Sequence, residues 1–193
     1  MAKKSKPAQQ SAPTDEGDWL HSQWPLGGGR HAIQTTEFEW AVMRFFSAFQ
    51  RSCEQLASTA GAPDASFQEL VLLHVVAMQH HPQGAASLAR QLNRDDIANL
   101  QYTLRKLEGK GFIRKIDGLR SKTAMYEISD EGHKTVSRYA EIREKLLNSK
   151  TQMLTEIDDR LGEASQLLAV LTGIYDDVAR SAATYTPYSE DER

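Results

Sequence analysis

Hydrophobic residues in the middle of the chain recur at helical spacing and then fall into two short segments, which predicts helices followed by a β-hairpin. Residues 85–92 and 96–109 form two predicted helices, and residues 93–96 form the turn between them. The second helix has a hydrophobic stripe with intervals of 3, 4 and 3 residues, which predicts one buried face. Its members are Ile97, Leu100, Leu104 and Leu107.

A glycine and two short strands follow this second helix. Gly111 stands where a left-handed residue commonly ends a helix. Phe112, Ile113 and Ile116 mark a first strand, and residues 124–128 form the returning strand. A helix-turn-helix followed by a β-hairpin is a winged helix, which most often docks in a DNA groove. The predicted fold class is therefore mainly α, a winged helix-turn-helix with N- and C-terminal helical dimerisation regions.

Two capping boxes mark the starts of the helices that precede the motif. Thr36 and Glu39 form a T-x-x-E box, so a first helix is predicted to open at Thr36. Ser66 and Glu69 form a second box, which opens the next helix. The first helix is predicted to contribute to a dimer through three hydrophobic residues. These residues are Phe38, Val42 and Phe45.

The last predicted helix, at residues 151–182, has the most regular hydrophobic pattern in the chain. Spacings of 3 and 4 alternate along it, which is a heptad seam. Such a seam on a long terminal helix favours a partner helix, and a two-fold homodimer is favoured over packing on this chain's own first helix. The seam consists of Leu154, Ile157, Leu161, Ala164, Leu168, Leu171, Tyr175 and Val178.

The chain divides into five predicted segments. Residues 1–35 are a disordered or extended N-terminal arm, whose tryptophans are expected to pack on the body or on a second subunit rather than to bind another protein. The remaining segments are the first dimerisation helix at 36–65, the winged-helix DNA-binding lobe at 66–128, the C-terminal dimerisation helices at 129–183, and a tail at 184–193.

Composition places the chain among ordinary globular proteins. Of its 193 residues, 40% are hydrophobic and 25% are charged. No hydrophobic run approaches the roughly 20 residues that span a bilayer, so no membrane partner is expected. The N-terminus has no hydrophobic segment behind its basic residues, which argues against a secretory signal. A single cysteine excludes an internal disulfide and favours the cytoplasm.

Charge is distributed unevenly along the chain. The net charge is -3, which by itself argues against a nucleic-acid partner. Residues 101–126, however, contain seven Lys or Arg and two acids, a net charge of +5, whereas residues 130–193 have a net charge of -5. A basic patch on an otherwise acidic protein is typical of local phosphate contact, and an ordinary solvated face is the alternative.

Double-stranded DNA is therefore the predicted partner, and the second helix of the motif supplies its readers. Amides can bind adenine in two places, and an arginine can bind guanine or a phosphate. The predicted base-reading residues are Asn99, Gln101, Tyr102 and Arg105. The predicted phosphate and wing contacts are Thr103, Lys106, Lys110, Arg114, Arg120 and Lys122.

Two acids at the start of this helix oppose phosphate binding. Asp95 and Asp96 are expected to cap the helix and to stabilise its dipole. The alternative is that one of them accepts a hydrogen bond from a cytosine amino group.

The order of elements resembles the MarR family of bacterial transcriptional regulators. The resemblance covers about residues 36–178, and the segments LARQL, LRKLEGKGFIRK and ISDEG carry it. They look like that family's third helix, the end of its recognition helix with the first wing strand, and the entry to its fifth helix. The resemblance implies a dimer joined by the first and last two helices and a roughly palindromic operator. It also implies, as in many members, release from DNA by a small anionic aromatic ligand or an oxidant.

Three further sites are weighed. A small-molecule effector pocket would be lined by Trp40, Met43, Phe46 and His74, although these residues fit an ordinary core equally well. Cys53 is expected to be a buried inert thiol rather than a redox sensor. No metal site is predicted, because the histidines lack neighbouring acidic or cysteine ligands.

An enzyme is not predicted. The sequence contains no nucleophile elbow, phosphate-binding glycine loop or zinc-protease motif, so neither catalytic residues nor a cofactor are expected. The alternative to a sequence-specific regulator is a winged helix that binds another protein, with weak and sequence-blind affinity for DNA.

Overall fold

The computed structural model describes residues 29–117 and 124–185. It confirms the mainly α fold with a small antiparallel sheet. The helices are α1 (Arg30–Ala60), α2 (Phe67–Ala77), α3 (Ala85–Gln91), α4 (Ile97–Gly109), α5 (Asp130–Arg143), α6 (Ser149–Thr151) and α7 (Ile157–Thr184), with a π-helical turn at Glu144–Asn148. The strands are β1 (Gln83–Gly84), β2 (Ile113–Asp117) and β3 (Ala124–Ile128). The predicted N-terminal arm up to residue 28, the wing cations Arg120 and Lys122, and the tail beyond residue 185 lie outside the described residues.

The hydrophobic core lies beneath α4. Leu100, Leu104 and Leu107 are completely buried, as the stripe predicted, and they belong to one cluster with leucines of α2 and α3. Ile97 is 41% exposed, so its predicted burial is wrong. It is the first residue of α4 and does not belong to the buried cluster.

Both ends of α4 are closed by local hydrogen bonds. At the start, the Asp96 side chain accepts a hydrogen bond from the Asn99 backbone N–H at 2.9 Å, which confirms the predicted cap. At the end, Gly111 adopts φ +78°, and the Phe112 N–H donates to the Leu107 carbonyl at 3.0 Å. This left-handed cap confirms the role predicted for Gly111 and turns the chain into β2.

The sheet has the order β1-β3-β2, and both of its strand pairs are antiparallel. In the wing, Ile113 pairs with Ile128 and Arg114 pairs with Glu127. The two-residue strand β1, which the sequence did not predict, pairs Gln83 with Tyr126. It fastens the start of α3 to the wing.

The start of α1 differs from the sequence prediction. The helix begins at Arg30, six residues before the predicted capping box. Thr36 is buried inside the helix, where its hydroxyl donates to the Ala32 carbonyl at 3.0 Å, so the predicted Thr36 cap is wrong. The second box is confirmed, because the Ser66 hydroxyl accepts from the Glu69 N–H and the Glu69 carboxylate accepts from the Ser66 N–H.

The C-terminal region is also divided differently. Residues 152–156 interrupt the predicted continuous helix, Glu156 adopts φ +55°, and α7 begins at Ile157. Leu154 lies in the interruption, so its predicted place in the helical seam is wrong. No residue of α7 is buried among the described residues, and the rest of the seam is exposed or half-buried. No helix within the described ranges is long and apolar enough to cross a membrane.

Gly132 allows α5 to start directly against the wing. A Cβ at this position would lie 2.1 Å from the Phe112 carbonyl oxygen, and the Ile128 side chain would be 2.8 Å away. The Ser129 hydroxyl accepts from the Gly132 N–H at 3.0 Å, which confirms the predicted Ser129 cap. The segment ISDEG therefore packs the start of α5 closely against the end of β3 and against Phe112.

An ion pair between a buried carboxylate and a partly exposed lysine joins the start of α2 to the end of α4. Glu69 is only 2% exposed, and both of its carboxylate oxygens lie 3.1 Å from the Lys110 ammonium. The ammonium also donates to the Asp64 carbonyl at 2.7 Å. Burial raises the pKa of Glu69, but hydrogen bonds from Ser66 and Lys110 and the charge of Lys110 outweigh it, so the pKa lies below its usual value.

Replacing Lys110 tests this pair. Lys110→Met leaves the buried Glu69 carboxylate without its nearest cation, and because the lysine is partly exposed we expect the free energy of unfolding at pH 7 to fall by about 2 kcal/mol. Lys106→Met is the matched control, because that ammonium is 4.0 Å from the same carboxylate and about half exposed, and should cost less than about 1 kcal/mol. Urea unfolding measures both variants, and equal losses would contradict the assignment.

The pair also predicts the direction of pH dependence. Because the folded pKa of Glu69 is lowered, its stabilisation is present above the unfolded pKa and is lost as the pH falls through the folded pKa. Without Lys110 two of the interactions that lower this pKa are gone, so Lys110→Met should lose less stability than the wild type as the pH falls, which urea unfolding at a series of pH values measures.

Candidate nucleic-acid interface

The outer face of α4 carries a continuous set of polar side chains. Gln101, Tyr102 and Arg105 are exposed, and Asn99 is half-buried near the helix start. The Lys106 ammonium lies 5.3 Å from the centre of the Tyr102 ring, which is a cation–π distance. All four predicted base-reading residues therefore lie on one helix that is fixed by its buried leucine face, and their role in reading bases stays a prediction.

Thr103 does not belong to this outer face. It is 4% exposed, and its hydroxyl donates to the Asn99 carbonyl at 3.0 Å. The prediction that it faces outward to a phosphate is wrong. Thr103 precedes Leu104 and follows Leu100 by three residues, so it shares the helix side that packs on the core.

The predicted phosphate contacts separate into different environments. Lys106 is about half exposed at the edge of the outer face. Lys110 uses its ammonium on Glu69 and the Asp64 carbonyl, so its predicted phosphate contact is not supported. The Arg114 guanidinium forms an exposed ion pair with Glu127 across the wing, and its phosphate contact stays a prediction.

The two acids at the start of α4 have different surroundings. The Asp96 carboxylate is engaged as the helix cap. The Asp95 backbone carbonyl accepts from the Ile97 N–H at 2.9 Å, and the residue is exposed. The capping role is thus confirmed for Asp96.

Apart from Leu154, the predicted dimerisation residues lie on α1 and α7, and most of them are exposed. Phe45 is 67% exposed and Val42 is also exposed, whereas Phe38 is half-buried. On α7, Leu161, Leu168, Tyr175 and Val178 are exposed, and Ile157 and Leu171 are half-buried. Apolar surface of this extent on a single chain is typical of an interaction site.

A cavity of about 560 Å³ lies between α1, α2, α5 and the π-helical turn. Of the predicted pocket residues only His74 lines it, so the assignments of Trp40, Met43 and Phe46 to its lining are wrong. Met43 and Phe46 are exposed on α1, ahead of the lining stretch that starts at Phe49. The lining residues are Phe49, Cys53, Phe67, Leu70, Val71, His74, Val75, Val136, Tyr139, Ala140, Arg143, Glu144 and Asn148.

The cavity combines apolar walls with a few polar atoms. His74 Nδ1 is 2.7 Å from the Leu70 carbonyl, while His74 Nε2 is buried without a hydrogen-bond partner among the described residues. The Tyr139 and His74 rings pack in an edge-to-face arrangement, with their centroids 4.7 Å apart. Burial raises the pKa of Tyr139, and its hydrogen bond with Cys53 adds to that effect.

Sequence reasoning missed most of this lining because it comes from three separated helices. The spacing of four residues between Phe49 and Cys53, and between Leu70 and His74, places each pair on one helix face. Only the packing of α5 brings Tyr139 opposite them. Cys53 is buried, as predicted. No group of three or more His, Cys, Asp or Glu within residues 29–117 and 124–185 is arranged to hold a metal ion.

Known proteins resemble the chain mainly through its fold. A family model described as a winged helix DNA-binding domain matches residues 66–132. No curated protein matches the chain in sequence. A MarR family transcription regulator of known structure has a TM-score of 0.63 at 12% identity, with 78% of this chain and 95% of that protein covered.

Two further solved structures share this architecture. The transcriptional regulator BldR from Sulfolobus solfataricus has a TM-score of 0.59 at 14% identity, with 73% of this chain and 99% of that protein covered. FabT of Streptococcus pneumoniae, solved in complex with DNA, has a TM-score of 0.60 at 12% identity, with 75% of this chain and 99% of that protein covered. The chain therefore contains a winged helix and has the fold of MarR-family transcription regulators.

Proposed function

We propose that the chain is a cytoplasmic, sequence-specific DNA-binding transcription regulator and has no enzymatic activity. One observation carries the proposal: the outer face of α4 presents Gln101, Tyr102 and Arg105 to solvent while its leucine face is buried. A helix displayed in this way can enter a major groove and read base edges. The DNA-bound structure of FabT, which has a similar fold, supports this use of the motif.

In this proposal the contacts divide by function. Asn99, Gln101, Tyr102 and Arg105 read bases from the major groove. Lys106 binds a phosphate beside α4, Arg114 supports the wing, and Arg120 and Lys122 contact the adjacent phosphates or minor groove. Thr103 and Lys110 act inside the lobe instead, because the core and Glu69 engage them.

The regulator acts as a homodimer on a roughly palindromic operator. The exposed apolar sides of α1 and α7 support this arrangement, because pairing two copies would remove both from water. Two recognition helices related by a two-fold axis then meet two half-sites about one helical turn apart.

Arg105→Ala tests the base-reading assignment. We expect it to weaken binding to the preferred duplex by about 1–3 kcal/mol and to weaken binding to a scrambled duplex less, because a lost base contact removes sequence preference. Lys122→Ala should weaken both duplexes similarly, since a phosphate contact does not depend on sequence. Fluorescence anisotropy at physiological salt measures both, with the exposed Lys150→Ala as a control for charge. Equal losses of binding free energy on both duplexes from Arg105→Ala would contradict the base-reading assignment.

A pair of α7 variants tests the dimer. Leu161→Asp with Leu168→Asp places two charges on the apolar side of α7, and we expect a monomer that binds the operator weakly. Gly162→Asp with Ala169→Asp adds the same charges at the same spacing about 100° around the helix and should leave the dimer intact. Light scattering gives the mass of each, and a dimeric Leu161/Leu168 variant would refute the role of the seam.

A small-molecule effector is proposed for the cavity between the lobe and α1. Its apolar walls, and the His74 Nε2 that has no hydrogen-bond partner in the part of the chain that the structure describes, are suited to a small, mostly apolar or aromatic molecule that offers one polar group. Such a ligand would touch α1 and α5 as well as α2, and could therefore bias the position of the lobe on the dimerisation helices.

A substitution that fills the cavity tests this proposal. Binding is followed with the anionic aromatic probe 8-anilinonaphthalene-1-sulfonate, whose fluorescence increases in apolar surroundings. We expect the wild type to enhance the probe's fluorescence, and Val136→Trp to lose most of this enhancement because the indole occupies the space. Met78→Trp adds the same side chain at an exposed position outside the lining and should keep the signal. Undiminished enhancement in Val136→Trp would exclude the cavity as the binding site.

A further inference from the structure

Two adjacent residues of α7 form hydrogen bonds with different parts of the chain. The Tyr175 hydroxyl donates to Glu39 Oε1 of α1 at 2.5 Å. The neighbouring Asp176 carboxylate accepts from the Asn93 side-chain amide at 2.9 Å. α7 is thereby fastened to a dimerisation helix on one side and to the winged helix on the other.

The hydrogen bond between Tyr175 and Glu39 also restricts the position of Asp176. The hydrogen bond to Glu39 raises the pKa of Tyr175, with smaller effects from burial and from the charge of Glu39, so the hydroxyl stays a donor near neutral pH. Since Tyr175 and Asp176 are consecutive on one helix, a bond that holds Tyr175 also limits where the Asp176 carboxylate lies. Both hydrogen bonds are solvent-exposed, and together they link Asn93 through α7 to Glu39 of α1.

Asn93 occupies the turn of the helix-turn-helix. It adopts φ +49°, its N–H donates to the Arg90 carbonyl at 3.2 Å, and the Arg94 N–H donates to the Ala89 carbonyl at 2.9 Å. This pair of bonds is the Schellman arrangement that ends α3, with Asn93 as its left-handed residue. Glycine usually fills that position, so the backbone alone does not require the amide that reaches Asp176.

Because the turn between α3 and α4 is short, the Asn93–Asp176 hydrogen bond also affects the position of the start of α4. Asp96, the cap of α4, follows Asn93 by three residues, and the predicted readers begin at Asn99. A shift of Asn93 relative to α7 therefore moves the end of α4 that would enter the major groove.

We propose that the Asn93–Asp176 hydrogen bond is a positioning contact that fixes the angle of α4 relative to α7 and so sets the half-site spacing the dimer accepts. The inference rests on the proposed function, because spacing has meaning only for two recognition helices on one operator. Neither residue touches DNA in this account. Both act through the orientation of α4.

Two substitutions remove the bond without disturbing the backbone. Asp176→Ala removes the acceptor. Asn93→Gly removes the donor and keeps a residue that adopts φ +49° without strain. The matched control is Asp177→Ala, which deletes the same charge one residue away, where the carboxylate pairs with Arg180 of the same helix at 3.4 Å.

The first readout is binding to inverted repeats whose spacer changes one base pair at a time. We expect the wild type and Asp177→Ala to bind one spacer about tenfold more tightly than its neighbours, and Asp176→Ala and Asn93→Gly to reduce this ratio to about threefold or less. Thermal unfolding should change little in all of them, which separates a positioning role from a stabilising one. An unchanged spacer preference in both bond-deleting variants would overturn the proposal.

The second readout does not depend on an operator. Spin labels at Ala98→Cys and Ala169→Cys, in a Cys53→Ala background diluted with unlabelled protein, report the distance between α4 and α7 within one chain. Double electron–electron resonance should give a narrow distribution for the otherwise unchanged protein and for Asp177→Ala, and a broad one for Asp176→Ala and Asn93→Gly. Identical distributions would contradict the positioning role even if an operator is bound. A wild type that selects no inverted repeat would contradict the proposed function, and the distances would still decide whether the bond holds α4.

Discussion

Burial of the leucine face of α4 determines how the winged helix presents itself to a partner. Leu100, Leu104 and Leu107 are completely buried in the same cluster as leucines of α2 and α3. Removing these side chains from water is the dominant favourable term available to a lobe of this size. Because a helix has a fixed period, burying this face leaves Gln101, Tyr102 and Arg105 on the other side, in contact with solvent.

The two ends of α4 are held by polar groups, each of a different kind. At the C-terminal end the Lys110 ammonium donates to the buried Glu69 carboxylate, so this cation is engaged within the lobe. At the N-terminal end Asp96 caps the helix, and the preceding turn is tied to α7 through Asn93 and Asp176. α4 is thus held along its buried face and at both termini, and the proposed reading of base edges would require such rigidity.

The sequence predicted best what depends on neighbours along the chain. The left-handed Gly111 and the Ser66 capping box involve residues within a few positions of each other, and both are confirmed. The stripe of α4 is confirmed for its three leucines but not for Ile97. The inward position of Thr103 follows from the same periodicity and could have been found by extending the stripe to its three-residue neighbours.

What the sequence did not predict depends on contacts between distant segments. Lys110 was expected to bind a phosphate, but its partner Glu69 lies on another helix, and a basic residue in a basic stretch gives no sign of it. The cavity lining was assigned to the wrong turns of α1, because only the packing of α2 and α5 determines which turn faces the space. The early start of α1 and the break before α7 likewise had no capping signal that the pattern could use.

The measurement that tests the central claim most directly is the selection of bound duplexes from a random library by the wild-type protein at physiological salt. Two α4 helices displayed on a dimer predict enrichment of an inverted repeat, bound about 10³-fold or more tightly than random duplex. Weak, salt-sensitive binding with no enriched sequence would contradict the account and would favour a winged helix that binds another protein.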